Sequence, residues 1–153
     1  MTDPIVVEFE VNTSAEHAFA MWTSGTAIWW PRSHTVSRDR DLVVVFEPFS
    51  GGRIFERARS GGEHEWGVIR VWEPPRRVEY LWHIFVDRRQ GTDVSVTFTP
   101  TADGTVVRLV HSGFDRLADD AGPDRLRRTR DAWAEITKRY ADEVSTPFDG
   151  TRS

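Results

Sequence analysis

The stretch IVVEFEVNTSAEHAFAMW, residues 5–22, changes its hydrophobic period part-way along. Ile5, Val7, Phe9 and Val11 are apolar while Glu8 and Glu10 between them are acidic, the period-two pattern of a strand with one buried face. From Ala15 the spacing becomes helical, and Ala15, Ala18, Phe19 and Trp22 fall on one face. Thr13-Ser14-Ala15-Glu16 between the two patterns has the hydroxyl-to-carboxylate spacing of a capping box. The helix should end near Ser24-Gly25, followed by a short helical turn through Ala27–Trp30 that Pro31 stops.

Beyond residue 42 the chain reads as strands joined by turns. Leu42–Phe46, Arg53–Ala58, His64–Trp72, Arg77–Val86, Asp93–Thr99 and Thr105–His111 are separated by Gly51-Gly52, Gly61-Gly62, Pro74-Pro75, a polar stretch closing at Gly91, and Asp103-Gly104. Short, regular spacing with glycine and proline at the ends favours an antiparallel meander. The period then turns helical again. Pro123 opens a long helix, with Asp124 suited to its N-terminus. Leu126, Trp133, Ile136 or Thr137, Tyr140 and Val144 form its apolar stripe. The expectation is a single domain over residues 1–146 and a frayed tail over 147–153.

This order (strand, two short helices, six strands, long helix) is α+β. A seven-stranded antiparallel sheet with one apolar face needs a cover, and only the C-terminal helix is long enough to give it. A curved sheet gripping a straight helix leaves space between them, and that space is either filled or open.

Composition narrows the function. The net charge of −4 argues against a general nucleic-acid binder. With no cysteine there are no disulfides or thiolate metal sites. No run approaches the ~18 apolar residues of a membrane span, and Met1-Thr2-Asp3-Pro4 lacks the look of a signal peptide, so a cytoplasmic protein is expected. No metal-ligand spacing and no nucleophile elbow occurs. The acidic group Asp119, Asp120 and Asp124 reads as a solvated turn and helix start, not a calcium loop. No catalytic residue, metal or cofactor is assigned.

Several fragments now fall in an order that carries a resemblance: Trp29-Trp30-Pro31, Phe46-Glu47-Pro48 with Gly51-Gly52-Arg53, Trp66-Gly67, Trp72-Glu73-Pro74-Pro75-Arg76-Arg77, Trp82, Gly104-Thr105 with Val107, Leu109, His111 and Gly113, and Trp133. Together they resemble the homologues of the activator of heat-shock protein 90 ATPase, within the START-like (SRPBCC) helix-grip superfamily. The resemblance covers roughly residues 5–144, with Ala132 standing where the family often has glycine. It implies a curved seven-stranded antiparallel sheet around a long C-terminal helix, with two short helices after the first strand. It also implies a habit of holding apolar ligands between sheet and helix. The eukaryotic activator acts on its chaperone with a second, N-terminal domain, for which this chain has no room before its first strand, so a chaperone partnership is not implied.

The residues expected to line such a cavity are Trp29 or Trp30, Tyr80, Trp82, His111 and Trp133. One of the paired indoles Trp29 and Trp30 should turn inward while the other sits at the cavity rim. His111 shares strand parity with Val107 and Leu109, so it is either a ligand contact or a hydrogen-bonded core histidine. His17 and His34 read as surface positions, and His64 and His83 as strand residues without ligand partners. The leading expectation is a module binding a small apolar or amphipathic molecule. The alternatives are a cyclase- or dehydratase-type enzyme using the same cavity, with polar groups supplied by Tyr80, His111 and arginines such as Arg53 or Arg108, and a filled, homodimeric or chaperone-associated interaction domain.

Overall fold

The computed structural model describes residues 4–117 and 121–145. The expected frayed tail, and Asp119 and Asp120 of the acidic group, lie outside the described residues. Strand β1 (Ile5–Val11) leads to helices α1 (Ala15–Thr23) and α2 (Thr26–Trp29). Strands β2 (Val43–Phe46), β3 (Arg53–Arg57), β4 (Glu63–Glu73), β5 (Arg77–Trp82), β6 (Thr92–Pro100) and β7 (Thr105–Ser112) follow, and helix α3 (Ala121–Ser145) closes the chain. The strands form one antiparallel sheet in the order β1-β7-β6-β5-β4-β3-β2, so only the β1–β7 pairing joins strands distant in sequence. This is the helix-grip architecture, with α3 lying against the sheet's apolar face.

Alternation builds the inner face as expected. Val78, Tyr80 and Trp82 of β5, Val94, Val96 and Phe98 of β6, and Val107, Leu109 and His111 of β7 are buried. From α3, Trp133, Ile136, Thr137, Tyr140 and Val144 are buried against them, so both residues left open at 136 and 137 face inward. Each large apolar side chain removed from water in this way contributes about 1.5–3 kcal/mol before conformational entropy is subtracted.

Four local expectations are corrected. The N-cap of α1 is Ser14, whose hydroxyl accepts the His17 amide, and not the Thr13–Glu16 box. Helix α3 begins at Ala121, two residues before Pro123, which a first helical turn tolerates because its amide has no intrahelical partner there. Strand β5 stops at Trp82, not Val86: Phe85 takes a left-handed conformation (φ 71°), and the Val86 amide donates to the His83 carbonyl in a turn. Finally, Trp66 and Trp72 both reach the inner side of β4, but not by unbroken alternation. Register shifts opposite Ile54/Phe55 and between Ile69 and Val71 each insert a residue.

Candidate functional site

The chain concentrates its tryptophans at one place. Trp22, Trp29, Trp30, Trp66, Trp82 and Trp133 form a connected cluster with ring centroids 4.8–6.3 Å apart. Most are oriented by their N–H groups. Trp22 donates to the Tyr80 hydroxyl at 3.2 Å, Trp29 to the Met21 carbonyl at 2.7 Å, Trp30 to the His34 carbonyl at 3.1 Å and Trp66 to Glu56 at 2.8 Å. A buried indole with a bonded N–H is pinned in its rotamer as well as packed.

Both members of the Trp29-Trp30 pair are buried, at 1% and 5% exposure, so the expected rim indole does not exist. The cause is Pro31. Its ring disfavours the helical conformation for the residue before it, and Trp30 is accordingly extended (φ −75°, ψ 126°) while Trp29 ends α2. The change of backbone between the two residues swings both rings inward. Trp29 packs on Trp22 and Tyr140, and Trp30 on Trp66, Trp82 and Trp133. The segment is tied down from outside by guanidinium groups, since Arg139 donates to the Trp29 carbonyl and Arg32 to those of Ala27 and Trp30.

Above the cluster opens a cavity of about 290 Å³, at the lower edge of the ~300–1,000 Å³ usual for small-molecule sites. Trp30, Trp82 and Trp133 line it, with Ile84–Val86 of the β5–β6 connection on one side and Arg125, Arg128, Thr129, Ala132 and Ile136 of α3 on the other. His34, read from sequence as a surface residue, is half-buried and also lines it. Of the expected lining set, Trp29, Tyr80 and His111 lie outside the lining. Burial pushes the Tyr80 phenol pKa far up, so it stays neutral.

His111 is a core residue, 1% exposed and bonded on both ring nitrogens. An indole N–H can only donate, so Trp133 Nε1, 2.9 Å away, makes Nδ1 of His111 an acceptor. The ring proton therefore sits on Nε2 and is donated to Thr92 Oγ1 at 2.6 Å. Burial, then the charge of Arg125, push its pKa down to about 3, with Asp93 opposing weakly. An imidazole in this state offers neither a free lone pair nor a transferable proton near neutral pH.

His83 is buried too, and it lies just past β5 rather than in a strand. One ring nitrogen is 2.9 Å from the Val86 carbonyl and the other 2.7 Å from Glu65, which also accepts two bonds from Arg88. Arg88 first, against the opposing effect of burial, and then His83 hold the Glu65 carboxyl below its ordinary pKa. This network fixes the turn that carries Phe85 over the cavity. The two arginines among the expected polar groups of an enzyme lie elsewhere: Arg53 pairs with Glu47 and Glu63, and Arg108 with Glu8 on the exposed side of the sheet. Among the described residues no group of three metal-ligating side chains converges, and no helix is long and apolar enough to cross a membrane.

Residues 12–143, which include every cavity-lining position, match the family described as Activator of Hsp90 ATPase homolog 1-like protein. The chain belongs to this family. Ala132 sits in the cavity wall. Solved structures similar to the chain include an anthrahydroquino-γ-pyrone synthase, Txn09, determined as a complex. It is 29% identical with a TM-score of 0.62, over 92% of this chain and 96% of that one. Protein MLL2253 from Mesorhizobium loti is 21% identical, with a TM-score of 0.66 over 91% of this chain and 94% of that one. The Aha1 dimer from Colwellia psychrerythraea is 17% identical, with a TM-score of 0.69 over 96% and 99%. The last two share the fold. No curated protein sequence matches the chain.

The rim residues Ile84, Phe85, Val86, Arg125, Arg128 and Thr129 were not singled out from sequence as site residues. A signal was present for Thr129, which at four residues before Trp133 shares its helical face, and more weakly for Arg125, eight residues before, which flanks it; Arg128, five residues before, lies well round the helix and carried none.

Proposed function

We propose that this protein binds a small apolar or amphipathic molecule in the cavity between the sheet and α3. The observation that carries the reading is the wall of three indoles, Trp30, Trp82 and Trp133, meeting the apolar side chains Ile84, Phe85 and Ile136 around an open volume of about 290 Å³. The test is titration with the neutral fluorophore N-phenyl-1-naphthylamine. Saturable one-to-one binding that Thr129→Trp abolishes by filling the cavity supports the reading. No saturable binding, or equal binding by the Thr129→Trp variant, overturns it.

A cyclase-like activity is the second reading, favoured by the 29% identity to the pyrone synthase. His111 is too firmly engaged to serve it, which leaves His34 as the imidazole in the lining, 3.8 Å from Glu135. Ring closure of a polyketide precursor that persists unchanged in His34→Ala would remove that residue from any mechanism. A homodimeric interaction surface has less support. Val6 and Val43, two of the exposed large apolar side chains, lie on strands at opposite edges of the sheet.

A further inference from the structure

The cavity differs in charge from the chain around it. The protein carries a net −4, yet the lining contains two arginines and a histidine and no aspartate or glutamate. Arg128 is offset by Asp124 at 3.1 Å. Arg125 is half-buried and donates to the Gln90 carbonyl at 2.6 Å, but among the described residues it meets no carboxylate. Burial, and then the neighbouring charge of Arg128, pull its pKa below the ordinary arginine value. Trp82 adds a further donor. Its indole N–H has no hydrogen-bond partner among the described residues, whereas those of Trp30 and Trp133 are both engaged within the protein.

A half-buried guanidinium with a partly apolar surround interacts more strongly with an anion than one in open water, because screening is weaker. Its planar fork also suits a carboxylate or sulfonate. We propose that the ligand is an amphipathic anion: an aromatic or alicyclic body against Trp30, Trp82 and Trp133, with its acidic group on Arg125 and Arg128 beside it. This rests on the cavity being a binding site, as argued above. It narrows the ligand class from apolar molecules at large to ring-bearing acids, and it makes the α3 rim the part that reads the acidic group.

The experiment compares N-phenyl-1-naphthylamine with 1-anilinonaphthalene-8-sulfonate, which carries the same rings plus a sulfonate. Arg125→Gln should weaken the sulfonate probe roughly tenfold or more, the scale of a lost charge-assisted hydrogen bond. The neutral probe, having no anion for the arginine to meet, should keep its affinity within about twofold. Arg128→Gln should shift the sulfonate probe in the same direction by less, and serves if Arg125→Gln does not fold. Equal effects on both probes, or none on either, overturn the anion proposal and leave the binding site standing. Failure of the neutral probe to bind the unaltered protein removes the site itself, and the anion proposal with it.

Discussion

The Trp133 indole donates to Nδ1 of His111 at 2.9 Å, linking the middle of α3 to the last strand through a proton that only the indole can supply. The bond requires a neutral imidazole. Unfolded, His111 would take up a proton near pH 6.5, whereas the folded value is pushed down to about 3. Between those values the unfolded state binds more protons, so stability rises with pH through the window and falls as the medium is acidified. Above about pH 6.5 this residue contributes no slope. Urea denaturation at pH 7 and pH 4.5 should show the loss, and His111→Gln should flatten it while costing about 1–3 kcal/mol at pH 7. An unchanged slope in His111→Gln would place the acid sensitivity elsewhere.

Glu56 is the second buried group with a pH signature. Its carboxylate accepts the Val36 and Ser37 amides, each at 2.7 Å, and the Trp66 indole at 2.8 Å. Burial alone would raise its pKa, but the bonds from Ser37, Val36 and Trp66 outweigh it and hold the value below the ordinary one. The sign is that of a lowered carboxylate: its stabilisation is present above the unfolded pKa and lost as pH falls below it. Glu56→Ala should cost about 3 kcal/mol by stranding the buried Trp66 indole and the two part-buried amides, and Glu56→Gln about 1–3 kcal/mol. Amide exchange at Val36 and Ser37 should accelerate in both. If those two amides stay protected, the carboxylate does not hold the segment.

Phe85 stands in the left-handed region at φ 71° and is 61% exposed. A side chain there carries a backbone cost of roughly 1–2 kcal/mol that glycine avoids. Phe85→Gly should therefore be more stable than Phe85→Ala by about 1 kcal/mol, read from their denaturation midpoints. Equal stability would show that the turn relaxes out of this conformation.

The sheet and α3 were legible because their periods are sustained: Val78, Tyr80 and Trp82 alternate without interruption, and Trp133, Ile136, Tyr140 and Val144 keep helical spacing. Legibility failed where one residue resets the pattern. Pro31 makes Trp30 extended, which turned an expected rim indole into a buried one. The inserted residues on β4 do not show in its composition, because their cause is the pairing with β3 and β5. The sequence predicts a strand through Val86, closed by the polar stretch Asp87–Gly91, and nothing in the three apolar residues Ile84-Phe85-Val86 reports a left-handed φ. His111 illustrates a different limit. Its burial was readable from parity, but its tautomer depends on Thr92 and on Trp133 of a distant helix, which no local pattern connects.

Trp30 gives the cavity an uneven capacity for change. The same ring is wedged among Trp66, Trp82 and Trp133 and forms part of the cavity wall. Substitutions in the floor therefore alter the shape of the cavity and the folding of the core together, whereas Arg125, Thr129 and Phe85 at the rim are coupled less tightly to the interior. A lineage carrying this fold can vary the shape and charge of the cavity mouth along the helix rim and the β5–β6 turn while the aromatic floor stays constant. Directed libraries meant to reshape the cavity belong at those rim positions.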